Sequence, residues 1–240
     1  GLADLAMYEG RFEEAVATLE RGIAADRAAG NQAALAAKHV ALAEAYQALG
    51  RSPMALGGMG EARRLMRAPS VLVPASAVLL AAGRQKDAEA IAAELDQSLE
   101  AYAPAYAHLV QGRLALARGR VVDAIEAFRA AAKVARLWLV RFELGVAYVQ
   151  AGRHAEALVE LEACRDRRGE AAAVFLDDVP TYRVMAPLAY WLGRAQEGLN
   201  QRAQALRSYQ EFLSLRRAGG DPLAADARRR LEALSRSGSP

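Results

Sequence analysis

The sequence predicts an all-α fold in which about six helical hairpins stack into a solenoid and a C-terminal helix caps the array. Three observations predict it: a turn signal recurs six times, the intervening segments have helical hydrophobic spacing, and alanine dominates the apolar residues. Of the 240 residues, 53% are apolar and only 6% are aromatic. Small side chains let helices approach closely, which favours stacked hairpins over a sheet.

Each repeat is marked by a residue that can end a helix, followed five positions later by an alanine in the next helix. Glycine and asparagine hold the six marking positions because both tolerate the left-handed backbone that ends a helix. These positions are Gly10, Gly50, Gly83, Gly119, Gly152 and Asn200. Successive markers are separated by 40, 33, 36, 33 and 48 positions, which indicates an underlying period of about 34 residues.

The fifth repeat carries the fullest motif, with Leu144, Gly145, Tyr148, Ala157 and Leu161 in order. This pattern resembles the tetratricopeptide repeat (TPR), except that the family's tryptophan is missing. Repeats two, four and six carry shorter versions, and repeats one and three match least. The resemblance implies a right-handed α-α superhelix of TPR-like hairpins, and we assign the array to residues 1–220.

Three irregularities bear on the organisation of the array. The first helix, residues 2–9, is about half the length of its counterparts, so we expect the array to begin upstream of this fragment. Pro69 and Pro74 predict a kink near 68–74, and an insertion is expected near 165–181. Asp221 and Pro222 predict the start of a capping helix, so 221–240 is assigned to that helix and a short disordered tail.

Residues 187–234 resemble more closely the ends of TPR tails attached to bacterial eukaryotic-like Ser/Thr kinases and winged-helix regulators. Tyr209, Phe212, Asp221 and Pro222 carry this resemblance. It implies a sensory or partner-binding part of a larger bacterial signalling protein. The compartment stays open: cytoplasmic, or extracytoplasmic if a membrane helix precedes the array.

Charge and cysteine content narrow the function classes. Basic residues number 31 and acidic residues 28, and they alternate along the helices, which disfavours a nucleic-acid partner. The sequence has no apolar run of 18 residues, so we expect no membrane insertion of this segment. The single cysteine, Cys164, cannot form an internal disulfide.

No catalytic or metal-binding motif is present, so we predict a protein that is not an enzyme and that uses no metal and no cofactor. His39 and His108 fall at a helix position where packing is expected, and His154 has no histidine or cysteine at ligand spacing. Cys164 occupies a small-residue position and is expected to be buried and unreactive.

The TPR resemblance implies that residues of each hairpin's first helix line a concave groove that binds a protein or peptide. The groove residues named by the resemblance are Glu44, Gln47, Tyr106, Arg113, Phe142, Val146, Gln150, Tyr190, Arg194 and Glu197. The lysine and asparagine that grip a C-terminal carboxylate in chaperone-binding members are missing. Aromatic centres flanked by Arg113 and Arg194 suit an amphipathic or extended segment with acidic residues.

A second function class remains open at this stage. The array could be a structural spacer or a self-association module, and a homo-oligomer is possible. Leu2, Leu5 and Met7 at the start of the chain favour self-association, whereas an apolar groove favours partner binding.

Overall fold

The computed structural model describes residues 1–171, 179, 181–216 and 221–236. Within these residues the chain forms thirteen α-helices and two 3-10 turns, and it contains no β-strand. The helices are α1 (Leu2–Glu9), α2 (Phe12–Ala29), α3 (Gln32–Ala48), α4 (Ser52–Leu65), α5 (Pro69–Ala81), α6 (Gln85–Asp96), α7 (Ala103–Ala117), α8 (Val121–Val134), α9 (Trp138–Gln150), α10 (His154–Asp166), α11 (Met185–Gly198), α12 (Arg202–Leu215) and α13 (Pro222–Arg236). The predicted all-α class is confirmed.

All six predicted turn residues have the left-handed backbone that the sequence required. The five glycines have φ between 71° and 78°, and Asn200 has φ of 59°. In each turn the next residue donates its N–H to the carbonyl five positions back, at 2.8–2.9 Å, as in Arg84 to Leu79 and Gln201 to Gln196. This bond satisfies a carbonyl that the helix end leaves unpaired. The turns therefore join α1 to α2, α3 to α4, and so on through α11 and α12.

The two helices of a hairpin interlock through a small residue on the first helix and a large one 16 positions later. A Cβ at Gly145 would lie 2.8 Å from Leu161 Cγ, and one at Gly193 would lie 2.6 Å from Tyr209 Cε1. Gly112 faces Phe128 in the same way. The glycine therefore lets the large side chain lie directly against the backbone of its partner helix.

The described residues divide into two compact units, one mainly from Arg11–Arg136 and the other mainly from Leu137–Asp177 and Thr181–Pro240. The first contains an aliphatic cluster in which Met7, Val16, Leu19 and Leu42 are buried. The second contains an aromatic cluster around Tyr190, Tyr209 and Phe212, against which α13 packs.

The predicted irregularities are only partly described. The chain leaves helical conformation after Leu65, and α5 begins at Pro69 and continues through Pro74. The kink near 68–74 stays a prediction. Within the expected insertion, Arg168–Ala171 and Tyr182–Val184 form 3-10 turns, and residues 172–178 and 180 lie outside the described residues. So do 237–240, where the tail was expected.

The C-terminal helix starts as the sequence suggested. Leu223 donates its N–H to Asp221 Oδ1 at 2.9 Å, and Pro222 occupies the first turn, where its missing N–H costs no hydrogen bond. Asp221 also lies 3.6 Å from Arg216 Nε, a side chain that is almost fully buried. This ion pair holds together the two ends of the connection between α12 and α13.

Candidate functional site

The structure buries four of the ten side chains that the sequence assigned to a groove. Tyr106 is fully buried, and Phe142, Val146 and Tyr190 are at most 7% exposed. Phe142 stacks on Trp138, with ring centroids 5.6 Å apart. These four side chains contribute to the core and offer almost no surface to a partner.

The other six assigned residues retain accessible surface. Glu44, Gln47 and Arg113 in the first unit are half-buried, and so are Arg194 and Glu197 in the second, while Gln150 is exposed. The assigned side chains that keep accessible surface are therefore charged or polar, and none of them is aromatic. Whether they touch a partner stays a prediction.

Arg113 is held in place across two helices of the first unit. Its Nη1 donates to the carbonyl oxygen of Val73 at 3.1 Å and lies 3.5 Å from Ser76 Oγ. Ser76 Oγ donates to the same carbonyl at 2.7 Å. A carbonyl oxygen can accept two hydrogen bonds, so this arrangement anchors the guanidinium of α7 on α5.

An apolar pocket of about 180 Å³ lies between α3 and α5 in the first unit. Ala33, Ala37 and Val40 supply one wall, since spacings of four and three residues place them on one side of α3. The opposite wall is formed by Met66, Ser70 and Val71. Both alanines are exposed, so the pocket opens to solvent at the α3 side.

The pocket and Arg113 are neighbours along α5. Ser70 lines the pocket and Val73 accepts from Arg113, and three residues of helix correspond to a rise of about 4.5 Å. We call the pocket together with Arg113 the first-unit groove. It combines an apolar recess with a fixed positive charge about one helical turn away.

In the second unit, α13 contacts the positions assigned to the groove on α11. Tyr190 donates its hydroxyl to Asp226 Oδ2 at 2.8 Å, and Arg194 Nη1 donates to the Tyr190 hydroxyl at 3.0 Å. Arg230 pairs with Glu197 Oε2 at 3.0 Å and with Asp226 Oδ2 at 2.6 Å. Two of the three assigned residues on α11, Tyr190 and Glu197, are thus bonded directly to α13.

The electrostatics of this network stabilise its charged forms. Burial disfavours the charge on Asp226, but hydrogen bonds from Arg230, Tyr190 and Arg229 outweigh it and lower the pKa of Asp226 to about 2. Burial likewise lowers the pKa of Arg230, and its bonds to Asp226 and Glu197 raise that pKa further than burial lowers it. Both side chains therefore stay charged across the physiological range.

The histidines and the cysteine form no reactive constellation in the described part of the chain. His39 is 8% exposed, and burial lowers its pKa below the usual value, against the opposing charge of Glu61. Cys164 is fully buried, with its Sγ 3.8 Å from the Trp138 carbonyl, and burial raises its pKa to about 12. Among the described residues no group of three or more His, Cys, Asp or Glu could hold a metal ion.

Comparison with known proteins places the fold. Neither a scan of protein-family models nor a search of curated proteins gives a match. Among solved structures, a tetratricopeptide repeat protein from Parabacteroides merdae ATCC 43184 superposes with a TM-score of 0.61 at 14% identity, over 98% of this chain and 82% of its own. A thermophilic TPR protein of Thermus thermophilus, TTC0263, gives 0.52 at 18% identity, over 82% and 97%.

A chain of the APC/C hetero-tetramer Cut9–Hcn1 gives a TM-score of 0.62 at 13% identity, over 99% of this chain and 49% of its own. The chain has the tetratricopeptide-repeat fold. At these identities the likeness concerns the fold alone, so the closer resemblance to kinase and regulator tails stays a prediction. A TPR array presents extended surfaces that are typical of protein–protein interaction modules.

The TPR framework explains which parts of the site the sequence missed. Motif positions identify the first-helix face to which Arg113 was assigned, and the structure bonds this side chain to the Val73 carbonyl of α5. They do not reveal the apolar pocket, because its far wall comes from residues 66–71, where α4 has ended and α5 begins. The alanines at 33 and 37 were the available signal, since two small residues four positions apart leave a recess on a helix face.

None of the described helices is long and apolar enough to cross a membrane.

Proposed function

We propose that this TPR chain is a non-enzymatic interaction module, an adaptor or sensory element, that binds a segment of a partner protein in the first-unit groove. The observation that carries the proposal is the apolar pocket between α3 and α5 with Arg113 about one turn away. The APC/C structure that shares this fold is an assembly with other chains, which supports a protein as the partner class.

The pocket suits one apolar side chain of the partner. An apolar cavity of about 150 Å³ accepts benzene in another protein, so a pocket of about 180 Å³ accommodates a leucine or phenylalanine side chain. Burying such a side chain contributes about 1.5–3 kcal/mol. The partner side chain in this pocket would therefore be an anchor residue, of the kind that contributes most of the binding energy at an interface.

Arg113 suits an acidic residue near that apolar anchor. Its guanidinium is always charged, and the bond to Val73 already fixes its position, so little side-chain entropy is lost on binding. Charge-assisted hydrogen bonds to a carboxylate are about twice as strong as neutral ones. The expected partner segment therefore carries an apolar residue and an Asp or Glu within a few positions of each other.

The second unit offers a separate and smaller set of contacts. Gln150 and Arg194 retain surface there, whereas Tyr190 and Glu197 are bonded to α13. We propose that a partner meets Gln150 or Arg194 at most, and that α13 takes the place of a ligand against Tyr190 and Glu197.

Self-association is the second candidate, and one observation favours it. Leu2 is 77% exposed and Leu5 is 49% exposed on the same side of α1. The residues at the corresponding places of the second hairpin, Leu42 and Ala45, are buried. A monomer in sedimentation velocity at micromolar concentration would exclude this alternative, and a dimer lost in Leu2→Gln with Leu5→Gln would establish it.

The test of the first-unit groove is selection of peptides from a random display library on the immobilised chain. Selected peptides should pair an apolar residue with an acidic one. Ala37→Phe fills the pocket from its exposed rim, and Arg113→Gln removes the charge while it keeps a donor for Val73. We expect each to weaken binding by about tenfold or more.

Ala17→Phe is the matched control, because Ala17 is an exposed alanine of α2 outside the pocket. It should bind the selected peptides as the parent does. Equal binding by the parent, Ala37→Phe and Arg113→Gln would reject the groove as the binding surface. Circular dichroism must show equal helicity in all four proteins.

A further inference from the structure

The third hairpin departs from the packing pattern that the other hairpins follow. This hairpin consists of α5 and α6. The position of its second helix that holds a large residue in the other hairpins is occupied by Ala92. The corresponding residues of the other five hairpins are Leu19, Met59, Phe128, Leu161 and Tyr209. The third hairpin thus lacks its large interlocking side chain, although the opposing residue, Ser76, is as small as usual.

A second departure occurs on the helix that packs next to this position. Gln111 on α7 directly precedes the small Gly112, and in the other five first helices the residue before the small one is leucine or alanine. Leu42, the residue at this place in the second hairpin, is buried in the cluster that contains Val16 and Leu19 of the first hairpin. A polar Gln111 and a small Ala92 therefore leave space between α6 and α7.

A cleft of about 410 Å³ occupies that space within the first unit. Ala92 and Leu114, both at most 5% exposed, and the exposed Ala93 supply its apolar lining. Glu89 and Asp96 lie on its α6 side, seven residues or about 10 Å apart along the helix. The cleft is therefore long enough for an extended side chain.

The charges along the cleft are balanced except at one end. Arg118 pairs with Glu89 and also donates to Gln85 Oε1 at 3.1 Å, and Arg120 pairs with Asp123 at 3.0 Å. Asp96, at the other end, is exposed and makes no ion pair within the described ranges. One unbalanced negative charge thus lies beside an apolar floor.

We infer that this cleft binds a basic side chain, arginine or lysine, of a partner polypeptide. The aliphatic stem would lie over Ala92, Ala93 and Leu114, and the cationic head would reach Asp96, which matches the amphipathic character of both side chains. This site is independent of the first-unit groove. The two would let one partner present an acidic-apolar segment and a basic residue to different surfaces of the first unit.

The probe is a set of capped pentapeptides, acetyl-Ala-Ala-X-Ala-Ala-amide, in which X is Arg, Lys, Gln or Glu. Amide chemical shifts of the isotope-labelled full chain are followed during millimolar titrations. We expect the Arg and Lys peptides to shift the amides of residues 89–96 and 111–118. The Gln and Glu peptides should leave those amides unchanged. Equal shifts from all four peptides, or shifts from Arg and Lys only elsewhere in the chain, would overturn the inference.

Variants separate a binding site from a packing defect. Asp96→Asn removes the charge and Ala93→Phe blocks the cleft from its rim, and each should weaken binding of the Arg peptide by about tenfold. Ala90→Phe, an exposed alanine of the same helix that does not line the cleft, should bind normally. Ala37→Phe, which tests the first-unit groove, should also leave the Arg peptide bound.

Ala92→Leu gives a second readout by restoring the usual large residue. It should raise the melting temperature, because it fills space next to buried apolar groups, and abolish the shifts caused by the Arg peptide. Retention of those shifts in both Ala92→Leu and Ala93→Phe would refute the inference.

Discussion

At the scale of single residues, glycines differ in what a side chain would meet. Gly193 lies against the ring of Tyr209, whereas a Cβ at Gly57 has no heavy atom within 4 Å. Both are inside helices. The same substitution should thus have opposite effects at the two sites, because one glycine is required by packing and the other only lowers helix propensity.

We expect Gly193→Ala to lower the free energy of unfolding. The clash with Tyr209 costs about 1–3 kcal/mol, which exceeds the roughly 0.5–1 kcal/mol gained from helix propensity. Gly57→Ala, the matched control, should instead raise the free energy of unfolding by about 0.5–1 kcal/mol. Urea titration followed by circular dichroism measures both, and destabilisation by the two variants alike would contradict the interlocking role of Gly193.

At the scale of elements, α13 is held by charge as well as by packing. Ala224 and Ala227 are buried against the aromatic cluster, and Asp226 and Arg230 bond to α11. Arg202 of α12 also donates to the Leu234 carbonyl at 2.8 Å, near the end of α13. The attachment of this helix should therefore depend on pH.

The pKa of Asp226 is about 2 in the folded chain against an ordinary value of 3.8. Its carboxylate therefore contributes stability that is fully present above about pH 4 and is lost as the pH falls towards 2. The contribution is up to about 2 kcal/mol, since one pKa unit corresponds to about 1.4 kcal/mol. Asp226→Asn should destabilise the chain near pH 6 and have little effect near pH 2.

Fluorescence of Trp191, which packs next to Tyr190 in the aromatic cluster, is a suitable signal for this unfolding comparison. Trp138→Phe in both proteins would remove the other tryptophan. An effect of Asp226→Asn that stays constant from pH 6 to pH 2 would show that the carboxylate charge does not stabilise α13.

At the scale of the whole molecule, contacts in a repeat array are local. Within each unit a hairpin packs on its neighbours in sequence, so a defect should weaken nearby repeats more than distant ones. The aromatic cluster that binds α13 involves α11 and α12, and the aliphatic cluster of the first unit involves none of these helices. Undocking of α13 should therefore destabilise α11 and α12 and leave the helices of the aliphatic cluster unchanged.

Ala227→Glu places a charge at a fully buried position of α13 and should undock the helix. Hydrogen exchange should then accelerate in α11 and α12, while α3 and α4 keep their protection. Ala225→Glu, two positions earlier and exposed, is the control and should change neither region. Loss of protection in α3 and α4 would mean that the array unfolds as one cooperative block.

The sequence alone determined the helices, the hairpin turns and the repeat fold. Turns such as those at Gly83 and Asn200 depend on whether a residue tolerates positive φ, and helix periodicity depends on neighbours three and four positions away. Both are local properties, so they could be identified without coordinates. Gly145 and Leu161 could be recognised as motif residues for the same reason, since both lie on one hairpin.

Which of the assigned residues keep accessible surface depends on tertiary packing, and the motif does not reveal it. The motif assigns Tyr106, Tyr190 and Glu197 to the groove. Both tyrosines are nevertheless buried, and Tyr190 and Glu197 are bonded to α13. The pocket at Ala37 and the cleft at Ala92 likewise arise between helices that belong to different hairpins. The accessible surface of a side chain depends on which residues pack against it. Those residues come from other hairpins, and a local sequence pattern carries no information about the distances between hairpins.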